Sequence, residues 1–250
     1  MADNIELKNN LMSFREAFRD YTDYYTVIGG TACMILMEEA SRDFRATKDV
    51  DMILIMEDGG KEFCKTFWEY ILRAKYTCGW KDSEPHYYRF TKPNPGFPSQ
   101  IELFSRRADF EQDSRIIPVH IDEDVSSLSA IALDEDFYAF MKTGRRVVDG
   151  ISILGAEYII PFKMYAWLNN NELKKQGMKV NDDDIKKHKN DVFRLLPLIN
   201  PDVKILTDGN VRKTVLSFAE NMRSEAVADE FLSNGRTKEE SLDIFRKVYL

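Results

Sequence analysis

This sequence has no long apolar run. A helix needs about 18 or more consecutive apolar residues to cross a bilayer, and no such stretch occurs, so no transmembrane helix and no membrane partner are expected. Cysteine is scarce. Cys33, Cys64 and Cys78 are odd in number and form no CxxC pair. That excludes a disulfide framework and a cysteine zinc site. Cys33 and Cys64 sit in apolar, helix-prone stretches and read as core. Positive charge is not in excess either. The formal net charge is -7, so no global basic field for nucleic acid exists, and only a local patch would serve RNA or DNA. Internal repeats and low-complexity segments are missing. The opening residues, MADNIELKNN, are polar and lack an apolar signal segment, so a cytoplasmic location is expected.

What is present suffices for a core. Of the 250 residues, 44% are hydrophobic, enough for one large core or two smaller ones. Leu7, Leu11, Phe14 and Phe18 recur at helical spacing. Tyr24 to Ile28 is aromatic and β-branched, a short strand, and it runs through Gly29-Gly30 into an apolar helix from Thr31 to Ala40. Asp51 to Met56 reads as a buried strand, Glu57 to Gly60 as a turn, and Lys61 to Lys75 as an amphipathic helix. Strands are expected at His86–Thr91, Gln100–Ser105 and Val119–Ile121, with a Pro- and Gly-rich turn between the first two. After a strand at Ile151–Leu154 the pattern turns helical: Ala156–Leu173 with Pro161 near its start, Asp182–Leu196, Val211–Met222 and Lys238–Tyr249. The expectation is α+β, with a mixed sheet flanked by helices over residues 1–150 and a helical region over 151–250.

Three places carry chemistry. Residues i and i+2 of a strand point to one face, so Asp49 and Asp51 would project together. Two carboxylates that close repel and resist ionising, unless a divalent cation lies between them. Magnesium takes hard oxygen ligands of this kind. Taken alone, the pair reads equally as two solvated acids. Gly29-Gly30-Thr31 at a strand-to-helix turn would let backbone approach a phosphate, with helix-start N–H groups and the Thr31 hydroxyl as donors; taken alone, it is an ordinary tight turn. Glu102, in Gln100-Ile101-Glu102-Leu103, faces away from two apolar neighbours. It would join a metal, take an acceptor's proton, or face water at an edge.

These segments together resemble the nucleotidyltransferase superfamily, whose catalytic domains are like that of DNA polymerase β, and within it the AbiEii/AbiGii toxin family of bacterial nucleotidyltransferases. Gly29-Gly30-Thr31-Ala32 matches the family's GGTA segment. Arg45-Ala46-Thr47-Lys48-Asp49-Val50-Asp51 is similar to its R-x-[ST]-x-D-h-D segment, and Ile101-Glu102-Leu103 to the later strand with the third acid. Pro161 to Ala166, around Lys163, resembles its helix with an inward lysine, and Lys187 to Phe193, around Asp191, its basic-then-Asp helix.

The resemblance implies a nucleotidyltransferase fold and transfer of NMP from an NTP to a hydroxyl on RNA, protein or a small molecule. It implies one or two Mg2+ ions on Asp49, Asp51 and Glu102, with Mn2+ able to substitute. It assigns the phosphates to Gly29, Gly30, Thr31 and Arg45, and gives Lys163 the triphosphate. Arg45 has the alternative of pairing with Asp43 or Asp49. Asp191 would orient Lys163 or the nucleotide, or else pair at the surface with Lys187 or Lys189. The toxin-type members imply an antitoxin protein as partner. Two alternatives stay open: an aminoglycoside-modifying type of small-molecule transferase, whose cationic substrate suits the acidic charge, and a non-catalytic nucleotide-binding relative.

Overall fold

A computed structural model describes residues 2–57, 60–81, 84–106, 116–119, 128–232 and 235–250. It divides the chain into two compact units: Met1–Tyr138 with Arg145–Leu154, and Ala139–Gly144 with Gly155–Leu250.

The first unit is built on a mixed sheet. Its helices are α1 (Ala2–Phe18), α2 (Gly29–Glu39) and α3 (Lys61–Ala74). Its strands are β1 (Tyr25–Ile28), β2 (Asp49–Leu54), β3 (Thr77–Lys81), β4 (Glu84–Thr91), β5 (Gln100–Arg106), β6 (Ile116–Val119), β7 (Leu128–Leu133), β8 (Arg145–Val148) and β9 (Ile151–Leu154). Among the described residues the order is β3-β4-β5-β2-β1-β9-β8, with β7 joining the far half of β5 and carrying β6. The pairs β2–β5, β1–β9 and β5–β7 are parallel and the others antiparallel. Because β9 pairs with β1 through Val27 and Ile153, the sheet extends past residue 150.

Period-2 alternation decides what each face of this sheet does. Val50, Met52, Leu54, Val27, Tyr25, Ile101, Leu103 and Phe90 point one way and are buried. Phe14 and Phe18 of α1 and Phe63, Phe67 and Tyr70 of α3 form their aromatic cover. Phe14 meets Tyr25 and Tyr70 edge to face, with centroids 5.6 and 6.3 Å apart. Each such side chain removed from water contributes about 1.5–3 kcal/mol, and the tilted pairs add specificity. The opposite face carries Asp49, Asp51 and Glu102.

The second unit is helical. After α4 (Glu135–Thr143), in which the chain passes from one unit to the other, come α5 (Ala156–Lys175), α6 (Asp182–Leu195), α7 (Gly209–Asn221) and α8 (Lys238–Tyr249). Asn181 caps α6, accepting from the Asp183 N–H, ahead of three aspartates in its first turn. Thr237 and Glu240 form a capping box on α8. The core gathers Ile159, Ile160, Met164, Trp167, Val192, Phe193, Phe218 and Phe245, with Trp167 edge-on to Phe218.

The helix expectations hold in place and type. The strands differ in three ways. Asp49 lies inside β2 rather than before it, since β2 starts two residues earlier than the expected strand and ends at Leu54. Gly29 and Gly30 form the first turn of α2. The strands β3, β7 and β8 and the helix α4 escape the periodicity reading, being short or too mixed to alternate. Of the strand expected at Val119–Ile121, Val119 ends β6; residues 120–121 and the turn residues 58–59 lie outside the described residues. No described helix is long and apolar enough to cross a membrane.

Candidate active site

The site begins where β1 runs into α2. Gly29 has φ +69°, a left-handed backbone that glycine adopts without steric cost. The residue before the helix, Ile28, offers no capping side chain. The first-turn N–H groups and the positive end of the helix dipole therefore meet whatever lies at this turn. What lies there is specific. A Cβ at Gly29 would fall 2.2 Å from Asp51 Oδ2. A Cβ at Gly30 would fall 3.0 Å from Thr47 Oγ1 and 3.3 Å from Arg45 Nη2. A carboxylate, a guanidinium and a hydroxyl thus converge on two glycines, and the glycines are what let them approach. Thr31 differs from the expectation of a phosphate donor. It is buried, and its hydroxyl donates to the backbone carbonyl of Asp49 at 2.5 Å. Placed one turn-residue further into α2, it faces the sheet, and it ties the helix start to the first residue of β2.

Strand register then places the third acid. Asp51 lies directly beside Glu102, and Asp49 beside Gln100, in the parallel β2–β5 pair. Arg89 and Thr91 of β4 stand beside Glu102 and Gln100 on the other side. Residues in such a row share a face, so Asp49, Asp51, Glu102 and Arg89 all project from the face opposite the aromatic core. Within the row Glu102 has a charged partner. Glu102 forms an ion pair with Arg89, and among the described residues no group of three or more His, Cys, Asp or Glu side chains is gathered to hold a metal ion. The physical reason is cross-strand charge. Asp51 repels the Glu102 carboxylate and Arg89 attracts it. The donor chemistry of Asp49 and Asp51, hard oxygens two residues apart on one strand, fits a divalent cation; Glu102 belongs to that set by register alone.

Lys163 and Asp191 lie in the second unit, on α5 and α6. Lys163 Nζ donates to Asp191 Oδ2 at 2.9 Å, with the residues 4% and 0% exposed. Lys187 and Lys189 pair elsewhere, with Asp184 and Glu225, so Asp191 is an interior partner of Lys163 rather than a surface one. Truncating one member alone would break a buried ion pair, at a cost of about 3–5 kcal/mol. His188 stands one helical turn before Asp191. Burial first, and then the charge of Lys163, lower its pKa to about 4, so the ring is neutral near pH 7.

Sequence reading gave no role to Arg89, Thr47 or His188. Arg89 had a signal, since it alternates with the apolar Phe90 in a strand. Its row-mates depend on register across three strands, which no local pattern encodes.

No protein-family model matches the chain, and no curated protein matches it. Among solved structures, the antibiotic-resistance factor ANT(2'')-Ia, whose solution structure is described as revealing substrate-regulated conformation dynamics, is similar over 89% of this chain and 93% of its own, with 12% identity and a TM-score of 0.42.

Proposed function

We propose that this chain is a magnesium-dependent nucleotidyltransferase that moves a nucleoside monophosphate from an NTP to a hydroxyl acceptor. One observation carries the reading. A single glycine turn at a helix start brings the Asp51 carboxylate against Gly29 and the Arg45 guanidinium against Gly30. An anion-binding helix start and a cation-binding acid pair thus adjoin, as transfer of a phosphoryl group requires.

In this reading the backbone of Gly29 and Gly30, with Arg45, holds the phosphates. Asp49 and Asp51 hold the cation, and Thr31 fixes Asp49 by its carbonyl. Magnesium, when bound, neutralises phosphate oxygens and aligns the attacking and leaving oxygens; manganese has the same oxygen preference. The acceptor oxygen forms a bond to the α-phosphorus, the bond to the β-phosphate bridge breaks, and pyrophosphate leaves. The acceptor's proton passes to a carboxylate of the row.

The test uses α-labelled NTPs with magnesium, offered cellular RNA in one arm and small polyhydroxylated amines in another. Label transfer in either arm is expected. Asp51→Asn, nearly isosteric but without the charge, should lower turnover on the order of 100-fold or more with an unchanged circular dichroism spectrum. Undiminished turnover by this variant would remove the metal role.

A further inference from the structure

A hollow lies at the far end of α2 from the glycine turn. Residues of α1, α2 and the β8–β9 hairpin enclose a cavity of about 490 Å3, within the size range of small-molecule pockets. All of them belong to the first unit, and none is part of the site described above. Gly29 and Glu39 are the two ends of α2, about 15 Å apart at the rise of a helix. Leu11, Ile35 and Ile151 give the cavity an apolar wall, and the two isoleucines are buried. Its charges come from Arg15, Glu38, Glu39 and Asp149. Glu39 is paired with Arg146. Arg15 and Asp149 differ from it. The Arg15 stem lies against the hairpin turn, since a Cβ at Gly150, the residue after Asp149, would fall 3.7 Å from Arg15 Cγ. Yet among the described residues neither Arg15 nor Asp149 has an ion pair or a side-chain hydrogen bond. A guanidinium and a carboxylate thus border one apolar cavity without engaging each other.

We propose that this cavity binds a free α-amino acid with a bulky apolar side chain. Such a molecule carries its carboxylate and its ammonium on one carbon, so a neighbouring cation and anion hold both at once. Arg15 offers a planar fork that matches the carboxylate. Asp149 accepts from the ammonium. The C-terminal end of α2, with no basic residue in its last turn, adds the negative end of its dipole. The apolar side chain lies on Leu11, Ile35 and Ile151 and leaves water. An apolar amine would leave Arg15 unused, and an apolar acid would leave Asp149 unused. The cavity and the catalytic site share no residue, so this binding stands or falls apart from the transferase reading.

The experiment titrates the full chain by calorimetry with three probes of one shape: L-phenylalanine, phenethylamine, which lacks the carboxylate, and 3-phenylpropionate, which lacks the ammonium. Phenylalanine should bind about ten-fold or more tighter than either, the scale of one charge-assisted hydrogen bond. Glycine, without the apolar side chain, should bind more weakly than phenylalanine. Arg15→Gln should weaken phenylalanine about ten-fold and leave phenethylamine within about two-fold. Asp149→Asn should weaken phenylalanine by a similar factor and leave 3-phenylpropionate within about two-fold. Asparagine keeps the shape of the side chain and tolerates the φ of +48° at this position. No binding of phenylalanine, equal binding of the three probes, or parent-like affinity in either variant overturns the proposal. Asp51→Asn, at the other end of α2, should bind phenylalanine as the parent chain does; loss of binding there would put the ligand in the catalytic site and overturns the proposal too. Thermal unfolding of each variant checks the fold, and the Asp149→Asn arm decides if Arg15→Gln is destabilised.

Discussion

At the scale of single residues, Gly29 and His188 show how local space and local charge act. Gly29 combines a positive φ with the Asp51 carboxylate where its Cβ would be. Gly177 has φ +80° and nothing within 4 Å of its Cβ position. Gly29→Ala and Gly177→Ala should each lose about 1–2 kcal/mol for the left-handed backbone. Only Gly29→Ala should also weaken Mn2+ binding, because the methyl group displaces Asp51. Thermal midpoints and Mn2+ titration of both variants decide this; parent-like Mn2+ binding by Gly29→Ala would show that the turn does not confine Asp51. His188 makes a prediction about pH. Its folded pKa is about 4 against an ordinary 6.5. Lys163 and Lys187 push it down along with burial, and Asp191 and Asp184 push it up. Between these values the unfolded chain holds a proton that the folded chain does not. The stability tied to neutral His188 is therefore complete above pH 6.5 and is lost as pH falls towards 4. The difference reaches about 3 kcal/mol. Urea midpoints at about pH 4.5 and about pH 7.5 should fall less with acid in His188→Gln than in the parent chain. Equal slopes would place the imidazole in contact with water.

At the scale of elements, α5 carries its own irregularity. Pro161 lies six residues into the helix. It has no N–H, so the carbonyl of Glu157, four residues earlier, loses its helical donor. The hydroxyl of Tyr249, in the last turn of α8, donates to that carbonyl at 2.6 Å. Tyr249 is fully buried, and burial raises its pKa well above the usual range, so the hydroxyl keeps its proton and remains a donor. One helix thus repairs another. Tyr249→Phe should cost about 1–2 kcal/mol by taking the hydroxyl donor from a part-buried carbonyl. Pro161→Ala restores a backbone donor, and in that background the same change should cost clearly less. A double-mutant cycle by urea unfolding measures the difference; additive losses would mean that Tyr249 stabilises by packing alone.

At the scale of the whole molecule, the chain passes between its units three times: within α4, after Gly144 and after Leu154. Residues 139–144 belong with the helical unit by contact. The Gly155 N–H donates to the Gly144 carbonyl at 2.9 Å, and the Phe140 and Tyr158 rings lie 4.8 Å apart. Gly144 has no room for a side chain, since a Cβ would fall 2.0 Å from the Tyr158 ring. A fragment of residues 155–250 keeps α5 to α8 but lacks these contacts. It should unfold at lower urea than a fragment of residues 139–250, by about 1–2 kcal/mol for the lost ring contact and its burial. Trp167 fluorescence reports on both. Matching midpoints would show that residues 139–144 add nothing to the helical unit.

Residue order alone makes legible what depends on near neighbours in the chain. Helical spacing gave α1, α3 and α5 to α8. Period 2 put Asp49 and Asp51 on one face and buried Val50 and Met52 on the other. The glycine pair marked the turn into α2. Each of these follows from backbone geometry within a few residues. The tertiary structure decided what depends on register and burial. Only the pairing of β2, β5 and β4 sets Glu102 between Asp51 and Arg89, and a one-residue slip would turn Glu102 to the core. Only packing takes the Thr31 hydroxyl to the Asp49 carbonyl, encloses Lys163 with Asp191, and brings Tyr249 to the carbonyl that Pro161 orphans. Those partners lie 18, 28 and 92 residues apart. Separations of that kind leave no local periodicity, because the chain between them folds according to its own contacts.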